Sequence, residues 1–130
     1  MREQHKQLVS NMFIINCKNY NEISGEKINK LANIAEKISK KYKIPIAVAP
    51  PHHQLASIKK SKLLVFAQHL DDAKVGSTTG YMIPEIVKKS KVNGALINHS
   101  EHRISSKEIR NLVKRLKKLK MKTVVCVKNV

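Results

Sequence analysis

The feature that most limits what this chain can fold into is a rhythm. Short apolar runs recur at residues 12–15, 44–49, 63–67, 95–97 and 122–127, and polar stretches with helical periodicity lie between them. Runs of this length suit strands rather than helices, and continuous apolar character suits strands covered on both faces, as in a parallel sheet. Over 25–42, Ile28, Leu31, Ala32, Ala35, Ile38 and Tyr42 fall on one side of a helix, with lysines and Glu36 opposite. Over 106–119, Ile109, Leu112, Val113, Leu116 and Leu119 form a second stripe. Shorter helices are expected over 54–60 and over 83–89, where Pro84 fits a first turn. Strands alternating with helices make βαβ units. The expected architecture is α/β, five parallel strands and four helices, with residues 1–130 as one domain and no linker or repeat to divide it.

Charge narrows the function classes. Lys plus Arg number 26 against 9 acidic residues, a net charge of +17. Such a field attracts polyanions and anionic small molecules. Yet the lysines run through the whole chain, and the five aromatics (Phe13, Tyr20, Tyr42, Phe66, Tyr81) are not interleaved with them as a stacking platform would be. Solvated helix faces account for the charge, so nucleic acid is not the expected partner. A cationic nucleic-acid-binding module built on 106–119 stays as the alternative. Cys17 and Cys126 lie in strand-like runs without metal-ligand spacing and read as reduced structural thiols. No apolar stretch is long enough to span a bilayer, and residues 1–7 do not read as a signal peptide. A cytoplasmic protein without membrane contact is expected.

Polar groups follow the strands at one end. Asn16 and Lys18 come after the first, Gln68 and His69 after the third, and the cluster Asn98, His99, Ser100, Glu101, His102, Arg103 after the fourth. In a parallel barrel these carboxyl ends converge on one face. A lysine there supplies a fixed positive charge for an oxyanion or phosphate, and a histidine supplies acid–base or electrophilic help.

Together these segments resemble triosephosphate isomerase, in its archaeal-type branch. Asn16-Cys17-Lys18 resembles the family's Asn-x-Lys after strand one. Val48-Ala49-Pro50-Pro51 is similar to its second strand end. Phe66 to Asp71, with Gly76-Ser77-Thr78-Thr79-Gly80 and Pro84-Glu85, resembles its third loop and helix. Asn98-His99-Ser100-Glu101-His102-Arg103 resembles its His-Ser-Glu segment, and Val124-Val125-Cys126 its fifth strand. The resemblance implies parallel βα units of a TIM (β/α)8 barrel, incomplete at about strands one to five. It implies interconversion of dihydroxyacetone phosphate and glyceraldehyde 3-phosphate, in glycolysis and gluconeogenesis, with no metal or organic cofactor. Lys18 would stabilise charge on the substrate carbonyl and phosphate, Asn16 would position substrate and lysine, and Glu101 would orient Lys18. His99 would be the neutral electrophile; this family is itself the type example of such a histidine, so the role is carried by resemblance. The Thr78–Thr79 region would reach a neighbouring subunit of a homo-oligomer. His102 stands where many members carry arginine.

A carboxylate base is also required, and the family's base follows strand six. None of the nine carboxylates (Glu3, Glu22, Glu26, Glu36, Asp71, Asp72, Glu85, Glu101, Glu108) matches it. A complete barrel takes roughly 250 residues, at least about 200. Three arrangements follow: a portion of a longer enzyme, a chain complemented by a C-terminal half carrying strands six to eight, or a non-catalytic half-barrel scaffold. The first is the leading expectation, with little activity in this chain alone.

Overall fold

The computed structural model describes residues 11–58 and 62–129. The segment 1–7 and the end of the helix expected over 54–60 fall outside them. Five strands, β1 (Phe13–Asn16), β2 (Ile46–Ala49), β3 (Leu64–Ala67), β4 (Gly94–Ile97) and β5 (Lys122–Val125), pair in sequence order. Every pairing is parallel. Each connection must therefore carry the chain back across the sheet. The helices α1 (Lys27–Tyr42), α2 (Pro84–Val87) and α3 (Ser106–Lys118) lie on three of these returns. After β2 the chain makes a 3-10 helix, His52–Ser57, which begins two residues before the short helix expected over 54–60. Another 3-10 turn, Lys88–Ser90, takes over the end of the helix expected over 83–89.

Alternation along the strands splits the core in two. Ile46 and Val48 of β2, Val65 and Ala67 of β3, and Ala95 and Ile97 of β4 pack with Ile28, Ala32 and Ala35 of α1 and Leu112 and Leu116 of α3. The opposite face gathers Ala47, Ala49, Phe66 and Leu96, flanked by Met12, Ile14, Leu64 and Val124. This second cluster contains no helix residue, as expected for the interior wall of a barrel. Gly94 is required on it. A Cβ there would stand 2.5 Å from the Lys122 carbonyl oxygen and 2.9 Å from Phe66 Cε1.

Helix ends follow from local chemistry. Ser105 caps α3: its Oγ accepts from the Glu108 N–H at 3.2 Å, and Glu108 Oε1 accepts from the Ser105 N–H at 3.2 Å. This reciprocal pair satisfies two otherwise orphaned donors. At the far end of α1, Lys43 takes a left-handed conformation, φ 53°, and Pro45 follows.

Three expectations are corrected. β1 and β5 are the two edges of the described sheet, as a partial barrel requires, but β1 is only partly covered, with Phe13 60% exposed, rather than covered on both faces. Ile38 and Tyr42, in the last two turns of α1, are exposed rather than buried with the rest of the stripe. Val113 sits at the margin of the α3 stripe, while Leu112 and Leu116 are fully buried.

Candidate active site

The carboxyl ends of β1 to β4 surround an open cleft of about 660 Å3. Asn16, Lys18, His99 and Glu101, the four residues singled out from sequence, all line it. They come from the ends of β1 and β4, which are not neighbours in the sheet.

Lys18 is held by the turn that leaves β1. Its backbone is left-handed, φ 53°, and its N–H donates to Asn16 Oδ1 at 3.0 Å. Gln68 Nε2 donates to the Lys18 carbonyl at 3.0 Å and to the Ala49 carbonyl at 3.2 Å. One amide thus ties the ends of β1, β2 and β3 together. The Lys18 ammonium reaches across the cleft to Glu101 Oε2 at 3.1 Å. Both groups are well exposed, so the pair fixes direction more than it adds stability.

His99 sits on a turn closed by the His102 N–H donating to the His99 carbonyl at 2.7 Å. The Glu101 N–H donates to His99 Nδ1 at 3.1 Å, nearer than the Glu101 carboxylate at 3.6 Å. An accepting Nδ1 leaves the ring proton on Nε2. Asn98, φ 63°, braces this turn: Oδ1 accepts from the Ile104 N–H and Nδ2 donates to the Cys126 carbonyl, each at 3.0 Å. Arg103 donates to the carbonyls of Asn98 and Cys126.

The same cleft is also lined by His52, His69 and His102, a group to which sequence reading gave no role in the site. His69 is 5% exposed, and its Nε2 lies 2.8 Å from Asp71 Oδ1. His102 stacks on it, centroids 3.7 Å apart and planes 12° from parallel. His52 approaches from the turn after β2, with centroids 6.4 Å apart. Burial first, then His69, holds His52 below its ordinary value. Burial pushes Asp71 upward, but the Met82 N–H and His69 hydrogen bonds outweigh it and leave the carboxyl below the usual range. The signals for these residues were present: Gln68 and His69 follow a strand, as does Pro50-Pro51-His52-His53. Among the described residues no set of three or more His, Cys, Asp or Glu side chains is arranged to hold a metal ion. No helix among them is long and apolar enough to cross a membrane.

A helix-backed sheet of parallel βα units, with its polar side chains gathered at the strand carboxyl ends, defines a partial TIM barrel. The structure of triosephosphate isomerase from Bartonella henselae superimposes with a TM-score of 0.78 over 94% of this chain and 53% of that one. At 21% identity, that likeness speaks for the fold. The family description "Triosephosphate isomerase" matches residues 11–130. The chain belongs to the triosephosphate isomerase family. It is 53% identical over 120 residues to the triosephosphate isomerase of Cenarchaeum symbiosum, covering 92% of this chain and 54% of the relative. It is 38% identical over 117 residues to that of Saccharolobus solfataricus, covering 89% and 52%. The chain therefore spans about half the length of the relatives it matches.

Proposed function

We propose that residues 1–130 form a single partial-barrel domain carrying the electrostatic half of a triose-phosphate isomerase site. The substrate pair is dihydroxyacetone phosphate and glyceraldehyde 3-phosphate. The observation that carries this reading is that Lys18 and His99 line one cleft, with Glu101 touching both. Loss of a proton next to the substrate carbonyl throws negative charge onto its oxygen. The Lys18 ammonium and the His99 Nε2–H are the donors that stabilise it, and His99 carries protons between the two oxygens. Asn16 holds the Lys18 backbone, and Glu101 aims its ammonium.

Glu101 is the one carboxylate among the described residues lining the cleft, and it is engaged by Lys18. The abstracting base must come from elsewhere, from the remaining strands of a longer enzyme or from a complementing C-terminal half. The chain alone is then weakly active or inactive. Thr78 and Thr79 are exposed, which suits contact with a second subunit of a homo-oligomer in the complete enzyme. The cytoplasm is where such an enzyme meets its substrate.

Calorimetric titration with dihydroxyacetone phosphate tests this. Wild type should bind, and Lys18→Met and His99→Gln should each weaken binding at least tenfold, roughly the loss of one charge-assisted hydrogen bond. Equal binding by all three would overturn the reading, as would turnover by residues 1–130 alone at the rate of a complete enzyme.

A further inference from the structure

We propose that His102 is a positioning residue, whose ring, stacked on His69, sets the turn that carries His99 and Glu101. Three observations meet here. First, the two rings lie 3.7 Å apart and only 12° from parallel. Second, the turn is short and closed: the His102 N–H donates to the His99 carbonyl, and the intervening Glu101 N–H donates to His99 Nδ1. Moving the His102 ring therefore moves both cleft-facing side chains. Third, His69 is a fixed platform. It is buried, and Asp71 holds its Nε2 while also bonding the Met82 N–H at 2.7 Å.

His69 Nδ1 is buried without a hydrogen-bond partner among the described residues. The polar edge of that ring is thus used on one side only, and its face is what it offers the turn after β4. His102 is itself exposed, so its ring is not there to fill the core. The stack couples the loop after β3 to the loop after β4, and through Glu101 it reaches Lys18, after β1, at 3.1 Å.

The consequence for substrate rests on the proposed function; the positioning itself does not. The test compares His102→Ala, which removes the ring, with His102→Phe, which keeps a flat ring. Amide exchange at Glu101 reads the turn directly, without substrate. It should quicken about three- to tenfold in His102→Ala and return toward wild type in His102→Phe, the range of one stacked pair. Affinity for dihydroxyacetone phosphate should follow the same order. In wild type, proton–proton Overhauser contacts between the His69 and His102 rings should be present, a reading that needs no variant to fold.

Equal exchange in His102→Ala and wild type would overturn the proposal, as would loss without recovery in His102→Phe or absence of the ring contacts. Exchange that follows the expected order in a chain that binds no triose phosphate would sustain the positioning and sink the substrate reading instead. Binding that is identical in all three proteins, with unchanged exchange, would do the reverse.

Discussion

The side-chain amide of Gln68 donates to the carbonyl of Lys18 at 3.0 Å, across 50 residues of chain. The same nitrogen donates to Ala49, so one group locks three strand ends beneath the cleft. Gln68→Leu would leave the Lys18 carbonyl without this donor in a part-buried place, while the Ala49 carbonyl keeps the Cys17 N–H at 3.0 Å. We expect a loss of about 1–2 kcal/mol by urea unfolding, the usual cost of an unsatisfied buried acceptor.

Lys18 is also strained, since a non-glycine residue at φ 53° costs about 1–2 kcal/mol. Lys18→Gly relieves that strain but adds backbone freedom to the unfolded chain, about 0.5–1 kcal/mol. The exposed pair with Glu101 contributes little to the balance. Stability should therefore stay within about 1 kcal/mol of wild type, while dihydroxyacetone phosphate binding is lost. Thermal melting alongside calorimetry separates the two effects.

Gly94→Ala should be among the most damaging small substitutions. The new methyl would meet the Lys122 carbonyl at 2.5 Å, and backbone of a paired strand cannot step aside as a side chain can. A loss of about 2–3 kcal/mol is expected from overpacking of this kind. Adding Phe66→Leu should not rescue it, because the nearest obstacle is main chain.

Arg115 joins α3 to the segment after β3 and to α2, pairing with Asp72 and with both oxygens of Glu85. The Arg115 guanidinium holds the Glu85 carboxyl below its ordinary value of 4.5. A carboxyl depressed in the folded state stabilises above the unfolded value and loses that contribution as pH falls through the folded one. His52, held below 6.5 by burial and then by His69, has the same sign: its unfolded form takes up a proton first as pH drops. Stability should thus decline on acidification below 6.5 and again below 4.5. Arg115→Met should shrink the second step, to which the depressed Asp71 carboxyl also contributes, and leave the first, as read from urea midpoints across pH.

Cys17 is buried and its thiol is pushed up to about 11 by burial. Thiolate is the reactive form. Iodoacetamide at neutral pH should label Cys126, which is only half-buried, and leave Cys17 untouched until the chain unfolds. Mass spectrometry of the labelled peptides checks this.

The sequence by itself determined the βα order, the two main helical stripes and the polar residues at the strand ends. Those features are local: alternation and helical spacing act between near neighbours, and Asn16, Lys18, His99 and Glu101 could be picked out because each follows an apolar run. The family resemblance anticipated the Lys18–Glu101 pair; tertiary structure alone decided its geometry and the other contacts between those ends. The Lys18–Glu101 pair spans 83 residues, the Gln68 bridge 50, and the His69–His102 stack joins two loops. Each depends on parallel register, set by core packing between distant segments, and no short stretch of sequence encodes it.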